Sequence, residues 1–185
     1  MKPDNMTYEE SAAVPCGGLT ALAFLRRGNL QPGQRILVYE ASGSVGTYAV
    51  QLAKYFGAEV TGVCSTTNVG LLRSLGADTV VDYTKEDFTK ASENYHVILD
   101  AVGESSPSRC RRSLTKNGVF LSVVSCAAVL ADDLTYLKNL IEAGKLKAVS
   151  DRRYPLELVP EAHRYVEGGH KKGNVVITVD HGSEN

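Results

Sequence analysis

A glycine-containing turn between Tyr39 and Gly46 has the residue types and the spacing of a phosphate-binding loop. Read as GxGxxG, its three positions are Ala41, Gly43 and Gly46; it follows an apolar run and opens an amphipathic stretch, as the dinucleotide fingerprint requires. Gly43 would let the backbone approach a pyrophosphate, and Gly46 would let the helix pack against the strand. The N–H groups of the first helical turn would then face the anion with the positive end of the helix dipole. The turn therefore predicts a dinucleotide site, unless Ser42 to Ser44 simply form a tight turn between strand and helix.

The residues after the second predicted strand bear on which dinucleotide binds. An NAD site usually carries an acidic residue about 20 residues after the loop, where it holds both ribose hydroxyls. Here the strand ends at Cys64 and is followed by Ser65, Thr66, Thr67 and Asn68. Because small hydroxyl side chains leave room for a 2′-phosphate, the sequence favours NADP, with NAD as the second choice. The same residues would also serve as N-caps of the next helix, and the two interpretations are compatible.

The remaining reactive side chains predict neither a catalytic residue nor a metal site. The cysteines lie far apart and show no CxxC spacing, at positions 16, 64, 110 and 126. A catalytic zinc needs about three protein ligands, so Cys16 is interpreted as a helix-packing residue and the protein is predicted to hold no zinc. Ser42 to Ser44 lacks the GxSxG frame of a nucleophile elbow. Lys171 and Lys172 are interpreted as a solvated turn before the last strand.

Short β-branched runs alternate with helical patterns from Gln34 to Ser125, which is typical of a doubly wound, parallel α/β sheet. The predicted strands are Arg35 to Tyr39, Ala58 to Cys64, Asp78 to Tyr83, Val97 to Val102, Val119 to Val124, Lys147 to Val149 and Val175 to Val179. The predicted helices are a broken stretch from Tyr8 to Leu25, then Val45 to Phe56, Val69 to Leu75, Ser108 to Leu114, Asp132 to Ala143 and Leu158 to Val166. The glycine turn joins the first strand to the helix that follows it.

Composition disfavours several classes of function. The 185 residues carry a formal net charge of -1, so bulk charge gives no support for binding nucleic acid or an anionic membrane. The apolar runs are too short and interrupted to span a bilayer, and no apolar core of a signal peptide follows Met1. Together with the dispersed cysteines, these features predict a cytoplasmic protein.

Motifs are spread over almost the whole chain: Thr7 to Pro15, Gly17 to Ala21, Leu30 to Gln34, Ala41 to Gly46, Leu75 to Asp78, Val81 to Tyr83, Asp100 to Gly103, Leu140 to Leu146 and Lys172 to Val176. In this order they resemble the medium-chain dehydrogenase/reductase family, which is alcohol dehydrogenase-like, and within it the zinc-free quinone-oxidoreductase branch. The resemblance implies a Rossmann domain that binds NAD(P)H, beside a GroES-like barrel that shapes the substrate cleft. It also implies direct hydride transfer to a small-molecule quinone or conjugated carbonyl.

Domain boundaries and cofactor contacts follow from the same resemblance. Residues 1–30 would be a helical remnant of the catalytic domain, residues 31–145 the Rossmann domain, and residues 146–185 the C-terminal helix and strand of the catalytic domain. The turn from Ala41 to Gly46, and within it Ser42 to Val45 above all, would hold the pyrophosphate. The other implied contacts are Ser65, Thr66 and Asn68 near the adenosine ribose, Tyr83 against the adenosine end, Val102 and Gly103 near the nicotinamide ribose, and Thr20, Val123 and Val124 beside the nicotinamide. The resemblance names no catalytic residue.

The chain also departs from the family pattern. Compared with that pattern, we expect most of the N-terminal barrel and a stretch after Ser125 to be missing, which would leave a sheet edge uncovered and predicts a homo-oligomer. Glu40 stands where the family prefers glycine or alanine; its carboxylate either points at the pyrophosphate, or turns to solvent or to a basic side chain. The shortened chain is therefore expected to be an NADPH-dependent oxidoreductase, or alternatively a non-catalytic remnant that binds a nucleotide or a partner.

Overall fold

A parallel sheet of five strands forms the centre of the computed structural model, which describes residues 2–90 and 94–179. The strand order is β3-β2-β1-β4-β5, and all four pairings are parallel. The α/β class and the parallel sheet predicted from the sequence are thereby confirmed. Because the chain adds β2 and β3 on one side of β1 and β4 on the other, the crevice at which such sheets bind ligands opens at the carboxyl ends of β1 and β4.

Except for the strand expected from Lys147 to Val149, the predicted elements are present; β1 has the predicted ends, and the others are shifted at one end or both. The strands are β1 (Arg35–Tyr39), β2 (Glu59–Cys64), β3 (Thr79–Asp82), β4 (Tyr95–Asp100), β5 (Leu114–Ser122), β6 (Ser150–Pro155) and β7 (Asn174–Thr178). The helices are α1 (Tyr8–Ala12), α2 (Pro15–Arg27), α3 (Ser44–Tyr55), α4 (Val69–Ser74), α5 (Pro107–Cys110), α6 (Asp133–Glu142) and α7 (Val159–Glu167). None of the helices in the described ranges is both long and apolar enough to cross a bilayer.

Strand β1 shows why the sheet is covered on both faces. Successive side chains of a strand point to opposite faces. Ile36 and Val38 are fully buried in a core that includes side chains of α2, α3 and α6, whereas Leu37 is fully buried in a second core with Val63 and Phe88. Since both faces are packed, the strand is an uninterrupted apolar run, as in parallel sheets generally.

The C-terminal residues form a second, smaller unit. Strand β6 pairs in parallel with β7, and α7 connects them. The prediction of a strand from Lys147 to Val149 is wrong, because Ala148 and Val149 pack against the main core and the strand begins at Ser150. The resemblance implies a barrel partner for the last strand, and in the structure β6 pairs with it.

Candidate cofactor-binding site

A cavity of about 730 Å³ lies beside the glycine turn, and residues from the ends of the neighbouring strands β2, β3 and β4 line it. Its volume is within the range of small-molecule sites, roughly 300–1,000 Å³. The wall includes seven of the residues predicted to contact the cofactor: Ser42, Gly43, Ser65, Thr66, Asn68, Tyr83 and Val102. The fold therefore brings together, at one edge of the sheet, residues that lie up to some sixty positions apart in sequence.

The two glycines of the turn have different surroundings. A Cβ atom added at Gly46 would lie 2.5 Å from the carbonyl oxygen of Glu40 and 2.6 Å from Cα of Ala41, so helix α3 packs too closely on the turn for any side chain. A Cβ atom at Gly43 would meet nothing nearer than the Glu40 carbonyl oxygen, at 3.5 Å, and Gly43 lines the cavity. Gly46 thus serves packing, whereas Gly43 keeps the backbone bare toward the cavity.

Helix α3 begins directly after Gly43, at this part of the cavity wall. Gly43 is the N-cap residue, and no side chain caps the first turn. The first N–H groups of a helix lack partners within the helix and carry partial positive charge. An anionic group in the cavity would satisfy them.

Asn68 carries a buried polar atom without a partner. Its side chain is nearly enclosed, at 6% exposure, and its Nδ2 atom donates to Oγ of Ser42 over 3.0 Å. Its Oδ1 atom has no hydrogen-bond partner among the described residues. The atom is enclosed by protein, so a ligand in the cavity touches it only when the side chain turns outward. The bare backbone of Gly43 at the uncapped start of α3 is the feature that fits a dinucleotide.

Thr66 is on the same wall, but its hydroxyl is already engaged. It donates to Oδ2 of Asp82, and its oxygen lies 3.0 Å from Oγ1 of Thr84. The hydrogen bonds from Thr66 and Thr84 hold the pKa of the Asp82 carboxyl well below its usual range. The Thr66 hydroxyl therefore has little capacity for a further hydrogen bond.

The turn after β4 is organised by Asp100, which is fully buried. Its carboxylate accepts hydrogen bonds from the backbone N–H groups of Val102, Gly103 and Ser105, over 3.2, 2.8 and 2.9 Å. A Cβ atom added at Gly103 would lie 2.4 Å from Cγ1 of Val124. The structure thus brings together three of the residues expected near the nicotinamide end, at the carboxyl ends of β4 and β5.

Other predicted contacts lie outside the cavity wall. Ala41 and Gly46 are buried beneath the turn, Ser44 and Val45 are half-buried in the first turn of α3, and Thr20 and Val123 are half-buried in α2 and after β5. Val124 is 78% exposed. These residues surround the turn and the strand ends without facing the same space.

Glu40 faces the cavity and has an unusual backbone. Its φ angle of 54° lies in the left-handed region, which favours glycine. Its side chain is half-buried on the wall, and burial raises the pKa of its carboxyl, as does the nearby Glu104. Within residues 2–90 and 94–179, Glu40 belongs to no ion pair. Of the two interpretations left open by the sequence, the geometry favours a carboxylate directed at the site.

Sequence reasoning missed the contribution of residues 169–173, here named the C-terminal turn. The N–H of Gly173 donates to the carbonyl oxygen of Ser42 over 2.8 Å, and the Ser44 hydroxyl donates to the carbonyl oxygen of Gly173 over 2.8 Å. The interpretation of Lys171 and Lys172 as a solvated turn is wrong, because this docking leaves both side chains half-buried. In the sequence, the family motif from Lys172 to Val176 was the one signal that this part of the chain could matter for the site.

Metal binding finds no support in the described ranges, which contain no group of three or more His, Cys, Asp or Glu side chains placed to hold a metal ion. Cys16 is an exposed residue of α2, so its interpretation as a helix-packing residue is wrong. The absence of zinc stays a prediction.

Comparison with known families gives two matches. A family model described as zinc-binding dehydrogenase matches residues 44–146, which is more than half of the 185 residues. A second model of the same description matches residues 125–177.

Individual proteins are also similar. The chain is 36% identical over 191 residues to 2-methylene-furan-3-one reductase of Solanum lycopersicum, covering 96% of this chain and 48% of that protein. It is 33% identical to the chloroplastic NADPH-dependent alkenal/one oxidoreductase of Arabidopsis thaliana, covering 96% and 49%. The quinone oxidoreductase structure from Coxiella burnetii superposes with a TM-score of 0.83 at 25% identity, over 97% of this chain and 63% of that one. The chain thus spans about half the length of these curated relatives.

Proposed function

Since the chain belongs to the medium-chain dehydrogenase/reductase family and is quinone-oxidoreductase-like within it, we propose that its cavity binds NADPH in preference to NADH and that it reduces a quinone or a conjugated carbonyl. The observation that carries the proposal is the bare backbone of Gly43 on the cavity wall, at the uncapped first turn of α3. One wall thus presents a place for an anion beside the polar side chains that follow β2, the two features that a nucleotide needs.

The residues around the cavity have distinct proposed roles. The turn from Ala41 to Gly46 and the first turn of α3 would bind the pyrophosphate through backbone N–H groups. The adenosine end would lie against Tyr83, with Ser65, Thr66 and Asn68 near its ribose. Val102 and Gly103 would lie near the nicotinamide ribose, and Thr20, Val123 and Val124 would lie beside the nicotinamide. The bound cofactor would supply the hydride.

Asp100 has a supporting role in this proposal. Its carboxylate accepts from the N–H groups of Val102, Gly103 and Ser105, so the turn after β4 is held in place before the ligand arrives. A preorganised wall orients a ligand at a lower entropic cost than a flexible one. We assign no general acid to the chain.

The proposal includes the division into residues 1–30, 31–145 and 146–185, and a cytoplasmic homo-oligomer. The separate two-stranded sheet of β6 and β7 supports a boundary before Ser150. The name of one relative contains the word chloroplastic, so the cytoplasmic location remains a prediction from composition.

Cofactor preference is expected to be modest, with NADPH bound about tenfold more tightly than NADH. No acidic residue directly follows β2 to repel a 2′-phosphate, but Asn68 offers no positive charge to attract one. Hydrogen bonds to a charged group contribute roughly 1.5–3 kcal/mol, and we expect the low end without an arginine. Fluorescence titration with both reduced cofactors measures the ratio, and tighter binding of NADH would contradict the assignment.

Turnover is tested by following NADPH oxidation with a panel of small quinones, enals and enones. The variant compared with the parent is Gly43→Val. The backbone angles of Gly43, φ -79° and ψ -176°, suit any residue, and a Cβ atom added there meets only one protein atom within 4 Å. We expect this variant to lose both cofactor binding and turnover, because its side chain occupies the place of a phosphate. It should fold but melt a little below the parent, since valine is a poorer N-cap than glycine.

Two results would speak against the proposal. If the parent protein binds NADPH but does not oxidise it in the presence of any acceptor of the panel, the result would support the non-catalytic alternative. Unchanged NADPH affinity in Gly43→Val would show that the pyrophosphate does not lie on the glycine turn.

A further inference from the structure

Lys171 places a positive charge at the start of helix α3. Its Nζ atom donates to Oγ of Ser44 over 2.7 Å and to the carbonyl oxygen of Gly173 over 2.8 Å. Ser44 is the first residue of the helix. The positive end of a helix dipole disfavours a cation, so this position is unfavourable for an ammonium group unless an anion is also present.

The protein itself provides no such anion in direct contact. None of the ion pairs found in residues 2–90 and 94–179 includes Lys171. The side chain is half-buried, and this burial lowers the pKa of the ammonium group, which the charge of Asp151 opposes only in part. An unpaired, partly desolvated cation is a costly arrangement for structure alone.

The balance of charge on the cavity wall points the same way. Among the described residues of the wall, Lys171 is the single Lys or Arg, whereas Glu40 and Glu104 each contribute a carboxylate. A ligand with adjacent phosphates would therefore meet two like charges and one opposite charge. The position of that one cation decides where the phosphates are most stable.

We propose that the ammonium group of Lys171 binds the pyrophosphate of the dinucleotide, so that the C-terminal turn forms part of the phosphate site. This inference rests on the proposed function. If it is correct, the C-terminal unit contributes a residue to cofactor binding. The pyrophosphate is common to NADH and NADPH, so Lys171 would contribute equally to both and would not affect the choice between them.

Three variants separate this role from a structural one. Lys171→Met removes the charge and keeps most of the aliphatic side chain, and Lys171→Arg keeps the charge. Lys172→Met is the matched control, since Lys172 is a neighbouring, half-buried lysine that is not part of the cavity wall. Calorimetric titration with NADPH and with NADH, at low and at high salt, gives the affinities, and thermal melting reports on folding.

We expect Lys171→Met to weaken the binding of both cofactors by roughly ten- to a hundredfold. The loss should shrink as salt rises, because salt screens the interaction between charges. Lys171→Arg should restore most of the affinity, and Lys172→Met should bind as the parent does. A similar loss in Lys171→Met and Lys172→Met, or a loss independent of salt, would overturn the inference.

A second probe distinguishes this inference from the proposed function. If the parent binds neither dinucleotide, the proposed function fails, and inorganic pyrophosphate then tests Lys171 by itself. Pyrophosphate that raises the melting temperature of the parent and of Lys172→Met, but not of Lys171→Met, supports an anion site at Lys171. Equal shifts in all three proteins would overturn it.

Discussion

Replacing Gly46 with alanine is expected to lower the free energy of unfolding by roughly 1–3 kcal/mol, the range of an overpacked core position. The added Cβ would lie 2.5 Å from the carbonyl oxygen of Glu40 and 2.6 Å from Cα of Ala41. Both are backbone atoms of the turn, so neither can rotate away as a side chain would. Helix α3 must move off the turn, and the fully buried Tyr48 and Leu52 must move with it.

Helix propensity acts in the opposite direction at this position. Alanine is favoured over glycine in a helix interior by roughly 0.8–1.0 kcal/mol, so in open space the same substitution would stabilise the protein. Gly70 in α4 provides the comparison, because a Cβ atom there would meet nothing within 4 Å. Urea denaturation of both variants measures the difference. A Gly46→Ala variant as stable as Gly70→Ala would show that the turn relaxes freely.

Removing the charge of Glu40 is expected to tighten dinucleotide binding by somewhere between threefold and a hundredfold. The lower figure corresponds to like charges separated in water, and the higher to the partly screened interior near a protein surface. Glu40 lies on the cavity wall, and Glu104 adds to the negative charge there. Glu40→Gln isolates the charge, because it keeps the length of the side chain. Calorimetric titration at low and high salt measures the gain, which should diminish with salt.

The raised pKa of Glu40 gives this prediction a pH dependence. As pH falls through that raised pKa, the carboxyl takes up a proton and the repulsion disappears, so the parent should bind the cofactor more tightly in acid. Glu40→Gln should lack this component. NAD⁺ is the suitable ligand, because it has no 2′-phosphate that titrates in the same range. An identical pH profile for parent and variant would show that Glu40 does not face the phosphates.

Glu40→Gly separates backbone strain from charge. The φ angle of 54° costs a non-glycine residue roughly 1 kcal/mol or more, and glycine removes that cost at every pH. The carboxyl is raised in pKa by burial, so its ionised form destabilises the fold above that pKa and the penalty is absent well below it. Glu40→Gln should therefore raise the free energy of unfolding at neutral pH but not in acid. Glu40→Gly should raise it in both.

Much of the fold could be predicted from the sequence because its determinants are local. The apolar run of β1 needs only its own residues to indicate a strand buried on both faces, and the observed bounds, Arg35–Tyr39, are the predicted ones. The start of α3 could also be predicted locally, because Gly43 and Gly46 indicate a turn that leads into a helix. Where a segment's partner lies elsewhere in the chain, prediction failed: residues 147–149 have strand-like composition but pack on the main core.

The candidate site divides in the same way. The sequence by itself determined the glycine turn, the hydroxyl residues after β2 and the family, since residue types and short spacings carry that information. Only the tertiary structure decided that the Glu40 carboxylate faces the cavity, that Asn68 keeps an unpartnered oxygen, and that Lys171 reaches Ser44 across 127 residues of sequence. The physical reason is that such contacts depend on which surfaces pack together when the C-terminal unit meets the sheet. No local pattern encodes that packing, because its free energy comes from all the elements at once.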